Sequence, residues 1–302
     1  MSHGNGSPVK LAVFMFAILG VFIFNSALAG NQDIGNNLRI PGQDTVQVLT
    51  MLDGSKLIGR IISVEDNIIT FRSDLGETKI ETAKIKEITM VASKSIKGGN
   101  YWFENPNATR LYFFSTGRML KQGQGYFADY YLFFPAVAYG ITDNITIGGG
   151  MSLFPGLNIN QQVYFLSPKI GLSATKNSSF SVGALIFALP KIDGERHTFG
   201  LVVGSGTIGS PDASLSFGLG YGFVDSKFAD RPVIMIGGEK RFARRISFVS
   251  ENLVLPGVSQ VPISYGLRFF GEGLSVDLAF FNLLGGDAIF PGIPWIDFVF
   301  NF

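Results

Sequence analysis

Two sets of residues in this 302-residue chain have the types and spacing to do chemistry. One is the run Asp193-Gly194-Glu195-Arg196-His197, where carboxylates two and four positions from an imidazole could orient and charge a general base. The only other histidine, His3, lies in what reads as a cleaved leader. No serine stands at a spacing that would complete a nucleophile and base pair with His197. Asp193, Glu195 and His197 also have metal-ligand chemistry, but one short loop rarely closes a coordination sphere. A charged loop of this kind is more often simply solvated. Gly148-Gly149-Gly150 lacks the following Lys-Ser/Thr of a phosphate loop. Zero cysteines exclude disulfides, thiolate metal sites, thiol nucleophiles and a lipid-modified N-terminal cysteine. No catalytic residue, metal ligand or cofactor is therefore assigned, and the chain is expected not to be an enzyme.

The second set is Arg110, Lys169, Glu251, Arg268, Asp277 and Asp297. These charges are far apart in sequence, so their chemistry depends on what brings them together. If they share one interior face, they form either a polar constriction that selects what crosses a lumen or mutual pairs that fill a closed interior. Cross-strand opposite charges contribute roughly 0.2 to 1 kcal/mol per pair.

The elements that must position them are strands. The chain is 46% hydrophobic and only 16% charged, yet it has no apolar run long enough for a membrane helix outside the first 30 residues. With a net charge of +1 it carries no electrostatic footprint for nucleic acid. After residue 108, short turns at Thr142-Asp143-Asn144, Lys176-Asn177-Ser178, Ser210-Pro211-Asp212, Arg244-Arg245 and Gly271-Glu272-Gly273 recur about every 30 residues. Longer loops alternate with them, at 117–125, 155–160, 190–197, 225–231, 255–260 and 284–294. Five turns and six loops predict twelve strands, the first at about 109–116 and the second at about 126–141.

Within the strands, Leu215, Phe217, Leu219, Tyr221 and Phe223 oppose Ser214, Ser216, Gly218, Gly220 and Gly222. Likewise Val261, Ile263, Tyr265, Leu267 and Phe269 oppose Ser264, Gly266, Arg268 and Phe270. An apolar face against a small or polar one is what a lipid-immersed barrel needs, because its strands must close to satisfy every backbone group. The parity is ambiguous at 233–236, where Ile234 and Ile236 compete with Val233 and Met235, and Asp129 falls on the lipid-facing side. Arg268 is expected opposite Asp277, with Asp297 on the next strand and Arg110 brought beside it by closure.

Residues 109–302 resemble bacterial outer-membrane β-barrel proteins, and the terminal aromatic Phe302 matches the C-terminal signal recognised in their assembly. The resemblance is to an architecture. It implies an all-β transmembrane antiparallel up-and-down barrel, outer-membrane lipid around it and the barrel assembly machinery as a partner.

Upstream, Lys10, the apolar run Leu11 to Phe24 and the sequence Ala27-Leu28-Ala29 read as a signal peptide over 1–29, cut between Ala29 and Gly30. Residues 30–43 read as a linker and 93–108 as a second one. Between them, 44–92 alternates in short strands with an Asp53-Gly54 hairpin signal. That stretch resembles small SH3-like or Sm-like β-barrels, through Val46-x-Val48, Asp53-Gly54-Ser55, Gly59-x-Ile61, Gly76 and Ile85 to Ile88. Its balanced charge argues against nucleic acid and for a periplasmic module docking on a protein or on peptidoglycan.

The expected function is a narrow channel for small solutes, or a structural and scaffolding barrel, in the outer membrane with residues 30–108 in the periplasm. The alternatives are a surface hydrolase using Asp193 to His197, and a carrier for apolar molecules suggested by inward Phe187, Phe270 and Phe281.

Overall fold

The computed structural model describes residues 37–192, 195–255, 257–285 and 290–302. The leader, the Ala29/Gly30 cleavage position and most of the first linker lie outside the described residues, as does Asp193. The chain divides into two compact units, Met1–Phe103 and Glu104–Phe302.

In the first unit, β1 (Thr45–Met51), β2 (Lys56–Glu65), β3 (Ile68–Ser73), β4 (Gly76–Glu81) and β5 (Ile85–Ala92) form one antiparallel sheet in the order β4-β3-β2-β1-β5. The Asp53-Gly54 turn forms as expected. Gly54 takes φ 84°, which a side chain would resist, and Asp53 Oδ1 accepts hydrogen bonds from the Ser55 amide and hydroxyl. A 3-10 turn at Thr82–Lys84 feeds β5, which returns to pair with β1. Leu49, Ile61, Ile69, Phe71, Ile80, Ile85 and Ile88 make the core. Gln47 is buried beside it with its polar ends satisfied: its amide donates to the Asn37 and Arg39 carbonyls, and its oxygen accepts from the Ile61 amide. Two short strands follow, β6 (Ile96–Lys97) and β7 (Asn100–Tyr101).

The second unit is a closed antiparallel barrel of twelve strands. They are β8 (Gly125–Tyr130), β9 (Phe134–Thr142), β10 (Ile145–Met151), β11 (Tyr164–Ala174), β12 (Ser178–Ile192), β13 (Glu195–Ser210), β14 (Ala213–Val224), β16 (Val233–Ala243), β17 (Ile246–Val254), β18 (Val261–Phe270), β19 (Leu274–Leu284) and β20 (Ile293–Asn301). The two-residue β15 (Lys227–Phe228) only extends the end of β14. Each strand pairs with its sequence neighbour, β20 pairs with β8, and β13 with β14, so no edge remains. The seam is tied at its end by Gly125 N–H to Phe302 carbonyl, 2.8 Å, and Phe302 N–H to Gly125 carbonyl, 2.9 Å.

All five predicted tight turns stand at one end, which also holds Gly125 and Phe302; the predicted longer loops stand at the other, except 117–125, which leads into Gly125 at the turn end. The alternation is as expected on β14, where Leu215, Phe217, Leu219 and Tyr221 face outward and Ser216 is buried inside. On β16 the ambiguity resolves with Ile234 and Ile236 outward and Met235 inward. Asp129 does lie on the outward parity, next to the turn at Tyr131–Phe133.

Twelve strands are present, but not the twelve laid out from the sequence. Residues 109–116 are not a wall strand, and the expected strand 126–141 is two, β8 and β9. The break is at Tyr131 and Leu132, which adopt φ 54° and 64°. Non-glycine residues seldom take that conformation, and no Gly, Asn or Pro marks the site. The displaced segment 109–116 lies inside the barrel instead. A lumen closed by about eight strands can be filled by wall side chains, whereas twelve leave space that something else must occupy.

Candidate functional site

The lumen is occupied by a hairpin made of residues 104–124. Arg110 and Ser115 form an isolated antiparallel bridge, Leu111 N–H donates to the Phe114 carbonyl and Thr116 N–H to the Thr109 carbonyl. Its ascending arm begins near the turns, where the Asn105 amide donates to the Pro211 carbonyl and, at 2.7 Å, to Glu239. Its descending arm returns there, with Gly117 N–H on Thr207 Oγ1 and the Arg118 guanidinium on the Gly209 carbonyl, 2.7 Å. The second linker therefore ends sooner than expected, since Asn105 and Asn107 are buried in this unit.

All six predicted charges point inward, and all are buried, but they converge on the hairpin rather than on each other alone. Arg268 lies opposite Asp277 as predicted, and grips it with Nε and Nη2 at 2.7 and 2.8 Å. Its third nitrogen reaches Glu239 at 3.0 Å, and Nη2 also donates to the Leu111 carbonyl of the hairpin. Asp297 stands across from Asp277 on the next strand. Arg110 does sit beside it, at 3.2 Å, and also 3.2 Å from Asp277. It comes from the hairpin, however, and not from a neighbouring strand. The residue that closure places next to Asp297 is Tyr130.

Two carboxylates thus face one another safely because two guanidinium groups lie between and beside them. Separating charges from water is costly, several kcal/mol per ion, and is offset only by close geometry and complete hydrogen bonding. Glu251 works differently. Its Oε2 accepts the consecutive backbone N–H groups of Tyr112, Phe113 and Phe114 at 3.1, 3.2 and 3.0 Å, which holds the tip of the hairpin. Tyr112 adds a 2.7 Å bond to the Val249 carbonyl. Lys169 donates to the Arg118 carbonyl.

Toward the loops the lining becomes aromatic. Phe113 stacks on Phe187 with ring centres 6.2 Å apart, Phe187 stacks on Phe199 at 4.8 Å, and Phe165 packs beside Phe187. Phe281 lies against Trp295 and Tyr112. Phe270, the third predicted inward ring, is buried near the turns beneath the Arg241 guanidinium. Two spaces flank the hairpin. One, of about 570 Å³, opens among the turns beside Glu104, Lys121, Glu272 and Phe302. The other, of about 70 Å³, lies between the hairpin and β8 to β13. Thr109, Arg118 and Leu120 border both.

Glu239, Arg241, Tyr112 and Arg118 are absent from the sequence-based set. Glu239 and Arg241 follow directly once Ile234 and Ile236 are placed outward, so the ambiguous parity hid them. Tyr112 and Arg118 had no signal, because 109–116 reads as a wall strand and 117–125 as a loop. At the loop end, β12 and β13 run 15 and 16 residues, beyond the ~9–11 that cross hydrocarbon. On that extension His197 Nδ1 lies 2.7 Å from Asp225 Oδ2, and the Thr198 amide donates to Asp225 Oδ1. The imidazole's carboxylate partner is thus Asp225, from the next loop, which local spacing around His197 could not reveal. The bond raises the His197 pKa and lowers that of Asp225. Among the described residues no three His, Cys, Asp or Glu side chains cluster as metal ligands.

No protein-family model matches the chain, and no curated protein sequence matches it. Solved structures that it is similar to are bacterial outer-membrane proteins. A loop L8 deletion mutant of OmpT, an outer membrane protein of Vibrio cholerae, is 11% identical, over 85% of this chain and 96% of that one, with a TM-score of 0.32. Outer-membrane expressed OmpT of Vibrio cholerae is 11% identical over 87% and 100% of the two chains, TM-score 0.32. Salmonella typhi OmpF, in complex with daunomycin, is 8% identical over 85% and 95%, TM-score 0.32. At such low identity and TM-score, a functional reading rests on the barrel's own geometry.

Proposed function

We propose that the chain is a non-enzymatic barrel of the bacterial outer membrane that passes small solutes through a narrow route beside its internal hairpin. A closed twelve-stranded wall, apolar outside and lined inside by serine, glycine and charge, suits that location. The observation that carries the channel reading is that the space at the turn end and the one beside the hairpin share Thr109, Arg118 and Leu120 as bordering residues. Joined there by a shift of those side chains, they would form a track from the turn end, past the hairpin, to the aromatic rings. The turn end and residues 30–103 are assigned to the periplasm, where the five-stranded module docks on a protein or on peptidoglycan. Phe302 serves as the assembly signal.

Single-channel recording in a planar bilayer tests this. Small, discrete steps are expected; folded barrels that never conduct at either polarity would refute it. If the purified protein instead carried bound lipid and did not conduct, carriage of apolar molecules along Phe113, Phe165 and Phe187 would replace it. The His197–Asp225 pair favours a second reading, a surface hydrolase with His197 as base and Asp225 orienting it. A hydrolytic activity on the intact protein that is lost in His197→Ala would support that reading, and the same activity persisting in the variant would remove it.

A further inference from the structure

The inner cavity differs from the rest of the lumen in one respect. Among the described residues the buried arginines each have a carboxylate: Arg110 has Asp277 and Asp297, Arg268 has Asp277 and Glu239, and Arg241 has Asp212. The cavity is bordered by Arg110, Arg118 and Lys169, and among the described residues no Asp or Glu lines it. Lys169 is 6% exposed. Its ammonium group donates to the Arg118 carbonyl and meets no carboxylate among the described residues. Opposite it on β10 stands Thr146, 8% exposed, whose hydroxyl has no hydrogen-bond partner. The Nε atoms of Arg110 and Arg118 are likewise buried without an acceptor. Arg118 instead spends its other nitrogen on the Gly209 carbonyl.

Apart from the Lys169 bond to the Arg118 carbonyl, these are donors without acceptors around a space, and Gly148 and Gly183 line that space without a side chain. A buried ammonium without counter-charge is among the most unfavourable placements a protein can hold. About 70 Å³ holds several waters at the roughly 10–15 Å³ each requires, or one small ion. We infer that this cavity binds a small monovalent anion, of halide or small oxyanion size, held by Lys169, Thr146 and the guanidinium groups of Arg118 and Arg110. The site deepens the channel reading by naming the charge class it would prefer, and it would bind its ion whether or not the barrel conducts.

Crystals of the full chain grown in sodium bromide, with anomalous scattering at the bromine edge, test it. An anomalous peak beside Lys169 Nζ and Thr146 Oγ1 is expected. The peak should vanish in Lys169→Met and weaken in Thr146→Val, with heat-modifiable migration confirming that each variant folds. Wild-type crystals without bromide in the cavity would overturn the proposal, as would a peak of equal height in Lys169→Met. Bilayer recordings in asymmetric potassium chloride separate the two readings. Bromide bound without any conductance would remove the channel and leave the site. Conductance without bromide binding, and with no anion preference lost in Lys169→Met, would remove the site and leave the channel.

Discussion

Replacing Glu251 with alanine is expected to release the tip of the hairpin. The wild-type carboxylate accepts three successive backbone N–H groups at 3.0 to 3.2 Å, in a position only 4% exposed. Hydrogen bonds to a charged acceptor contribute roughly 1.5–3 kcal/mol each, so three amount to roughly 5–9 kcal/mol. Burying the carboxylate costs several kcal/mol in return, which leaves a net of about 2–4 kcal/mol. In Glu251→Ala, water entering the vacated volume satisfies part of the loss. A remaining 3 kcal/mol changes the ratio of seated to released hairpin about 150-fold. Glu251→Gln keeps an acceptor oxygen without the charge and should fall between. Two assays read this: a larger conductance level, from barrels with the hairpin released, should become on the order of 100-fold more frequent in bilayer recordings, and amide exchange at Tyr112, Phe113 and Phe114 should accelerate together. Unchanged protection of those amides in Glu251→Ala would refute the account of the seating, whatever the conductance did.

Arg268→Met should remove the ion-pair partner of Glu239 and leave Asp277 with Arg110 alone, lowering barrel stability by about 3–5 kcal/mol, read as a lower temperature of heat-modifiable migration. A variant as stable as wild type would show that these carboxylates are neutralised otherwise. Gly117→Ala should dislodge the descending arm, because its new Cβ would stand 2.2 Å from the Ser179 carbonyl oxygen; a loss of about 1–3 kcal/mol is expected in the same assay. The His197–Asp225 contact should order its loop between two pH limits. Raised His197 contributes fully below its ordinary value of 6.5 and loses its contribution as pH rises through its folded value; lowered Asp225 contributes above 3.8 and loses its contribution as pH falls through its own. Protection of the Thr198 amide, taken against its intrinsic exchange rate at each pH, should therefore be greatest at mildly acidic pH, and His197→Gln should flatten the high-pH limb. A flat profile in the wild type would exclude the coupling.

The amino-acid sequence by itself determined the wall. Period-2 alternation, with five short turns spaced by two strand lengths, is local information, and each strand's outward face follows from which side is apolar. For the same reason the inward direction of Lys169, Glu251, Arg268, Asp277 and Asp297 was readable, as was the Arg268–Asp277 pairing across a short turn. What only the tertiary structure decided is what those charges meet. Arg110 to Ser115 is a short apolar run between polar ends that passes for a strand, and Tyr131-Leu132 carries no turn signal, so both errors left the count of twelve intact. Closure exposes them, because a ring admits one partner at each seam, and Gly125–Tyr130 takes the place beside β20. With the seam filled, the displaced segment has a twelve-strand lumen to enter and buried carboxylates that need its backbone and its arginine. The pairing of His197 with Asp225 is likewise a property of two loops brought side by side, which no spacing along the chain encodes.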